Sequence, residues 1–94
     1  MPLNLDWSAL ARGRLRDTHD HTAKDKPVAA DRLATRIVAA VETLRDYPHL
    51  GRLGSDGTRE LVIGRTPYVV IYRIQDGTVK VGTIWHGAQR RRRR

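Results

Sequence analysis

The sequence predicts an α+β fold in which a helical hairpin packs on a small curved antiparallel sheet, in the order β-α-α-β-β-β. Three observations predict it: strict alternation at the start, a 3.6-residue apolar period in the middle, and three apolar-rich runs separated by turns in the second half. No repeat or linker interrupts the 94 residues. We therefore expect one domain over residues 1–94, with a basic C-terminal tail at 90–94.

The first strand and the first helix come from the opening residues. Leu3, Leu5 and Trp7 alternate with polar residues, as in a half-buried strand. Ser8 is a suitable N-cap for a helix over residues 9–22. The apolar stripe of this helix is weak, and Gly13 lies within it.

A second helix is predicted more strongly. Asp25 and Pro27 favour a helix start, because aspartate is a good N-cap and proline is preorganised for the first turn. Tyr47-Pro48 marks the end. The apolar stripe of the helix consists of Leu33, Ile37, Val41 and Leu44. This stripe needs a flat partner, which the second half of the chain supplies.

Three strands follow the helices. Residues 58–63 alternate as a strand, and residues 64–67 form a turn. Residues 68–74 are so apolar that they predict the central strand of the sheet. Asp76-Gly77 favours a tight hairpin turn into a last strand over residues 78–85.

Charge points to a polyanionic partner, and most of the excess lies in the tail. The net charge is +8, but removing the five arginines at 90–94 from the 18 basic residues leaves 13 against 10 acidic ones, or +3. The tail is either a solvated run or a contact for an acidic partner or RNA. Without cysteine, a secretion signal or an apolar run of about 20 residues, the chain is expected in the cytoplasm and not in a membrane.

Common catalytic and cofactor motifs are absent. The sequence has no phosphate-binding glycine loop, no dinucleotide fingerprint and no nucleophile elbow. His19 and His21 are two residues apart on a predicted helix, which places them on different faces and argues against a metal site. We expect neither a cofactor nor a metal.

The remaining candidate site residues are expected at one end of the sheet, with Tyr68 and Tyr72 on the central strand. Histidine and arginine can move protons and stabilise charge in metal-free phosphodiester cleavage. The same residues can equally be outward sheet positions and strand ends. A plain nucleic-acid-binding module with a phosphate-contacting tail is a further alternative. The candidates are His86, Arg59, Arg65 and Arg73.

Several segments in this order carry a family resemblance over nearly the whole chain. They are Tyr47-Pro48-His49-Leu50-Gly51-Arg52, Thr58-Arg59-Glu60-Leu61, Pro67-Tyr68-Val69-Val70-Ile71-Tyr72-Arg73 and Trp85-His86-Gly87. With the β-α-α-β-β-β order, this set resembles the RelE/ParE superfamily of bacterial toxins. The resemblance implies the toxin of a type II toxin-antitoxin system, bound and neutralised by a cognate antitoxin in a hetero-oligomer.

The resemblance implies two alternative targets. ParE-like members are taken to poison DNA gyrase, whereas RelE-like members cleave mRNA on the ribosome. The RelE pattern has lysines where this chain has Glu60, Leu61 and Val62, an arginine where it has Val69, and another where it has Gly87. The RelE pattern also has a tyrosine near the end of the chain, whereas no tyrosine follows Tyr72 in this sequence. These departures favour a ParE-like, non-nuclease toxin; under the ribonuclease alternative His86, Arg59, Arg65 and Arg73 would be the catalytic groups.

Overall fold

The computed structural model describes residues 2–87 and shows two helices packed on one face of a five-stranded sheet. The strand order is β1-β5-β4-β3-β2. The α+β prediction is confirmed; the predicted basic tail at 90–94 lies outside the described residues. The elements are β1 (Asn4–Trp7), α1 (Ala9–Ala23), α2 (Pro27–Thr43), β2 (Arg52–Leu53), a 3₁₀ turn (Ser55–Gly57), β3 (Arg59–Val62), β4 (Tyr68–Gln75) and β5 (Thr78–His86).

The sheet is mixed. β2 to β5 pair antiparallel, as the tight turns predict, whereas β1 pairs parallel with β5. The parallel pair is possible because the helical hairpin and three strands separate β1 from β5, which provides the long connection that parallel strands need. The two-residue β2 lies between the second helix and residue 58, where the sequence predicts no strand.

Ser8 caps α1 and also fastens the helix to the sheet. Its Oγ accepts a hydrogen bond from Ala11 N at 2.9 Å and donates one to Gly82 O at 2.8 Å. The predicted cap is therefore confirmed. At α2 the predicted cap is wrong: Lys26, not Asp25, is the N-cap residue, and no side chain bonds the helix start. Pro27 needs no N–H partner at the first position, so the helix begins without a side-chain cap.

The core lies between α2 and the three long strands. Ile37, Val41 and Leu44 of the predicted stripe are fully buried, and Leu33 packs at its edge. Each such side chain contributes roughly 1.5–3 kcal/mol when removed from water. The cluster also contains Ile63, which follows β3, and the strand residues Leu61, Val70, Tyr72, Val79, Val81 and Ile84.

A bulge in β5 changes which face the last strand residues occupy. Ile71 pairs with Thr83 while the next residue, Tyr72, pairs with Val81, so Gly82 is the extra residue. Ile84 consequently returns to the core face beside Val81. Without the bulge, strict alternation from Val81 would place Ile84 and His86 on the opposite face.

The buried Tyr72 side chain fixes the loop between α2 and β2. Its hydroxyl donates to Pro48 O at 2.7 Å and accepts from Gly51 N at 2.9 Å. Burial raises the pKa of the Tyr72 phenol above its ordinary value, so the group remains a neutral donor. Gly51 allows this approach, because an added Cβ would lie 2.7 Å from the Tyr72 hydroxyl.

Replacing Tyr72 with phenylalanine is expected to destabilise the protein by about 1–3 kcal/mol, because the buried Gly51 N–H and the partly buried Pro48 carbonyl lose their partner. Urea unfolding measures this change. Tyr47→Phe is the control, because Tyr47 is 65% exposed. This substitution should change the free energy of unfolding by no more than about 0.5 kcal/mol. Equal effects of the two substitutions would contradict the role assigned to the Tyr72 hydroxyl.

His19 joins the two helices near the tip of the hairpin. Its Nε2 lies 2.7 Å from Asp31 Oδ1 of α2, and its Nδ1 lies 3.4 Å from Asp20 Oδ1. The hydrogen bond to Asp31, followed by that to Asp20, raises the pKa of His19 above its ordinary value of 6.5. The protonated imidazole can donate from both nitrogens, which the neutral ring cannot do.

The His19 contribution to stability is expected to depend on pH. Because the folded-state pKa is raised, the contribution is complete below the unfolded value of 6.5 and is lost as the pH rises through the folded value. Thermal unfolding of wild type and His19→Gln at about pH 5.5 and about pH 8.5 checks this. The wild-type advantage in Tm should be larger at the acidic pH. The exposed His21→Gln variant should show no such change, and a pH-independent His19 effect would contradict the interpretation.

Candidate functional site

His86 lies at the end of β5, where the bulge at Gly82 has turned it toward Tyr68. The two residues are register partners, and their rings meet edge to face with centroids 5.4 Å apart. Gly87 N donates to Pro67 O at 2.6 Å and ties the end of β5 to the start of β4. An added Cβ at Gly87 would lie 3.0 Å from that carbonyl, so a small residue is needed there.

Arg65 occupies the turn between β3 and β4, at the same end of the sheet as His86. Ile63 N donates to Tyr68 O at 3.0 Å and the Thr66 hydroxyl donates to Ile63 O at 2.8 Å, which closes the turn. Arg65 has a φ of 64°, a left-handed conformation that is uncommon for arginine. Its side chain is exposed. The turn therefore presents a cation to solvent from a constrained backbone.

Arg59 and Arg73 lie toward the opposite end of the sheet. Arg59 is the register partner of Tyr72, and Arg73 is that of Lys80. On β4, Tyr72 and Arg73 are four and five residues beyond Tyr68, the register partner of His86. These separations correspond to about 13 and 17 Å along the strand. The structure thus brings His86 and Arg65 to one end and places Arg59 and Arg73 at the other.

The two distant arginines also have different surroundings. Arg59 is half-buried, and its Nη1 donates to Gly51 O at 2.9 Å beside the Tyr72 hydroxyl. Arg73 is exposed on the other face of the sheet. Arg59 is thus bound to the backbone of the loop that Tyr72 fixes, whereas Arg73 is available to solvent.

The sheet face away from the core cluster, here called the outer face, carries a mixed surface. Val62, Val69 and Trp85 form one cross-strand row on it, and Val62 is 61% exposed. The next row contains Ile71 and Thr83, whose buried Oγ1 makes no hydrogen bond to other residues among 2–87. The outer face consists of Glu60, Val62, Val69, Ile71, Arg73, Lys80, Thr83 and Trp85.

Two edges of the outer face carry arginines that sequence reasoning missed. Arg52 Nε and Nη2, on β2, each donate at 3.3 Å to Oε1 of Glu60, a carboxylate that is only 7% exposed. The guanidinium of Arg14 lies 5.3 Å from the Trp85 ring centroid, within cation–π range. The sequence gives no direct signal for either contact, because both depend on the β2 pairing and the Gly82 bulge.

Two kinds of feature are absent from the described part of the chain. Within residues 2–87, no three or more His, Asp or Glu side chains converge as a metal site would require. In the same range, neither helix combines the length and apolar character needed to cross a bilayer. What the described residues offer is a sheet that carries cations at its ends and edges.

Comparison with known proteins gives a consistent picture. A family model described as the ParE toxin of the type II toxin-antitoxin system parDE matches residues 5–91. Toxin RelE2 of Caulobacter vibrioides is 40% identical over 83 residues, covering 88% of this chain and 91% of that protein. Putative toxin Y4kP of Sinorhizobium fredii is 40% identical over 84 residues, covering 88% and 86%.

Two solved structures share the fold. The chromosomal ParDE toxin-antitoxin system of P. aeruginosa superposes with a TM-score of 0.82 at 24% identity, covering 89% of this chain and 95% of that one. The RelBE2 toxin-antitoxin complex of Mycobacterium tuberculosis gives a TM-score of 0.67 at 24% identity, covering 92% and 99%.

The surroundings of Arg59 and Arg73 predict different mutational effects. Arg59→Ala is expected to cost about 1–2 kcal/mol, because the Gly51 carbonyl loses a charged donor. Arg73→Ala, at an exposed position, should stay within about 0.5 kcal/mol. Chemical denaturation of both variants measures the difference. A loss for Arg73→Ala equal to that for Arg59→Ala would contradict the structural role of Arg59.

Proposed function

The chain belongs to the ParE toxin family of type II toxin-antitoxin systems, within the RelE/ParE superfamily, and from this premise we propose that it is a ParE-like toxin that poisons DNA gyrase. The match to the ParE family model over residues 5–91 supports this direction. In this proposal the toxin acts by binding its target in the cytoplasm, without a cofactor and without cleaving RNA.

The separation of the candidate catalytic groups is the observation that carries the proposal. Metal-free RNA cleavage requires an acid or base and cations around one phosphate, within hydrogen-bond reach of the reacting atoms. Arg59 and Arg73 lie about 13–17 Å along β4 from the position opposite His86. Arg59 is moreover bound to the Gly51 carbonyl. This spacing disfavours a shared active site of all four residues.

The runner-up is a ribosome-dependent mRNA endoribonuclease. It is favoured by the RelE names of relatives that are 40% identical and by the placement of His86 and Arg65 at one end of the sheet. In this alternative His86 would transfer a proton and Arg65 would stabilise the phosphate, with Arg59 and Arg73 contributing only after rearrangement. The ribosome would have to supply the missing groups.

A cognate antitoxin is the partner expected under either target. Both structural neighbours are toxin-antitoxin systems, and the positive charge of this chain suits an acidic segment of such a partner. A complex of toxin and antitoxin is therefore the proposed resting state.

Purified protein is expected to inhibit supercoiling by purified gyrase and to leave mRNA on translating ribosomes intact. His86→Ala should inhibit gyrase to the same extent as wild type, because the proposal gives the imidazole no chemical step. Loss of a general acid or base typically costs 10²- to 10⁴-fold, roughly, in a nuclease.

The opposite pattern would replace the proposal with its runner-up: mRNA cleavage that His86→Ala abolishes, together with normal gyrase activity. Lys24→Ala is a suitable matched control for both assays, because this exposed residue at the end of α1 lies outside the outer face and has no role in either mechanism.

A further inference from the structure

The end of the sheet that carries His86 has no carboxylate on its strands. None of residues 61–70 or 84–87, which form this end and the turn between β3 and β4, is acidic. Asp76 lies in the hairpin turn at the other end, eight residues beyond Tyr68 or about 26 Å along β4. An anionic ligand at the His86 end therefore meets no like charge from these segments.

Three arginines border this end of the sheet. Arg65 is exposed in the turn, and Arg36 of α2 donates from Nη1 to Gly64 O at 3.4 Å beside it. The guanidinium of Arg14 lies 5.3 Å from the ring centroid of Trp85, near the end of β5. None of the three forms a salt bridge with an acidic side chain among residues 2–87. The surroundings of this end are therefore positively charged.

The chain continues from this same end toward the basic tail at residues 90–94. Gly87 N donates to Pro67 O at 2.6 Å, which fixes the position of Gly87 beside the turn. Two residues separate Gly87 from five consecutive arginines. A chain spans at most about 3.6 Å per residue, so the first arginine Cα lies within about 11 Å of the Gly87 Cα and the last within about 25 Å. Five further positive charges are thus confined to the neighbourhood of Arg65.

The composition of the basic tail favours a uniformly charged polymer as its ligand. The tail consists of one residue type and contains no apolar side chain. Specific protein interfaces obtain most of their affinity from anchors packed in an apolar, desolvated centre, which a run of arginines alone does not supply. A nucleic acid duplex instead presents one phosphate charge per about 1.7 Å of its axis, and guanidinium groups bind phosphate well.

The aromatic side chains at this end favour a duplex over a single strand. Single-stranded nucleic acids are usually held by bases that stack on aromatic rings. Here the rings of Tyr68 and His86 contact each other edge to face, and Arg14 lies over the ring of Trp85. These contacts occupy ring surface that stacked bases would need. A duplex keeps its bases stacked inside and offers its phosphates outside.

From this juxtaposition we infer that the basic tail and Arg65 bind the phosphate backbone of duplex DNA, whatever its base sequence. Contacts of this kind position a protein on DNA but read no base. They would raise the local concentration of the toxin on the polymer. The choice of DNA over RNA rests on the proposed gyrase target, whereas the phosphate contacts do not depend on that target.

The test measures binding of the full chain to two DNA duplexes of unrelated sequence and about 20 base pairs, by fluorescence anisotropy between about 50 and 200 mM salt. Arg93→Gln/Arg94→Gln removes two charges from the basic tail. Lys24→Gln/Lys26→Gln is the matched control, because it removes two exposed charges from the tip of the helical hairpin. Lys26 is ten residues, or about 15 Å of helix, from Arg36. Circular dichroism and Tm verify folding.

Wild type is expected to bind both duplexes equally, with an affinity that falls about 10³-fold over this salt range. In the tail variant, the slope of log K against log salt concentration should be shallower by about 2, and the affinity at about 50 mM salt should be at least about 10-fold lower. Arg65→Gln should make the slope shallower by about 1. The control should keep the wild-type slope and an affinity within about 3-fold of wild type.

Four results would overturn the inference: no measurable binding by wild type, unchanged binding by the tail variant or by Arg65→Gln, an equal loss in the control, or tighter binding to single-stranded or duplex RNA of the same length. Gyrase inhibition is assayed on the same preparations. A wild-type protein that binds DNA but does not inhibit gyrase would count against the proposed target alone. Inhibition without DNA binding would count against this inference alone.

Discussion

The hydroxyl of Tyr72 is the interaction on which the arrangement of this molecule depends. Tyr72 is 1% exposed in the middle of the central strand, and its phenol joins Pro48 O and Gly51 N across the core. The Gly51 carbonyl of the same loop accepts from Arg59, so the loop after α2 is bound to both β3 and β4. A small domain buries little apolar surface, and a satisfied polar contact of this kind fixes the relative position of its layers.

The Gly82 bulge determines which side chains at the end of β5 lie on each face of the sheet. Because one residue is inserted between Val81 and Thr83, Trp85 lies on the outer face and His86 lies beside Tyr68. Ser8 bonds the Gly82 carbonyl and caps α1 with the same hydroxyl. The position of the last strand and the start of the first helix are therefore coupled through one side chain.

Apart from the two-residue β2, the helices and strands are predictable from the sequence, but their relative placement is not. The apolar stripe of α2 and the central strand are predicted by periodicity, because the buried residues of a helix or strand recur at a characteristic spacing. No local sequence pattern indicates the parallel β1–β5 pair or the bulge, since both depend on long-range packing. Arg59 and Arg73 have the same residue type and similar strand contexts, so only the register could show that one binds a carbonyl and the other faces solvent.

The two sides of the sheet are joined at one end by the turn at residues 64–67. The outer face is directed away from α2, so a partner on either side leaves the other open. Arg36 of α2 donates to Gly64 O at 3.4 Å, which places this turn against the helix. The next residue, Arg65, is exposed at the end of the sheet that carries His86. A partner that contacts α2 and extends past Arg65 therefore arrives at the sheet itself, and the turn is the place where contacts on the two sides can be combined.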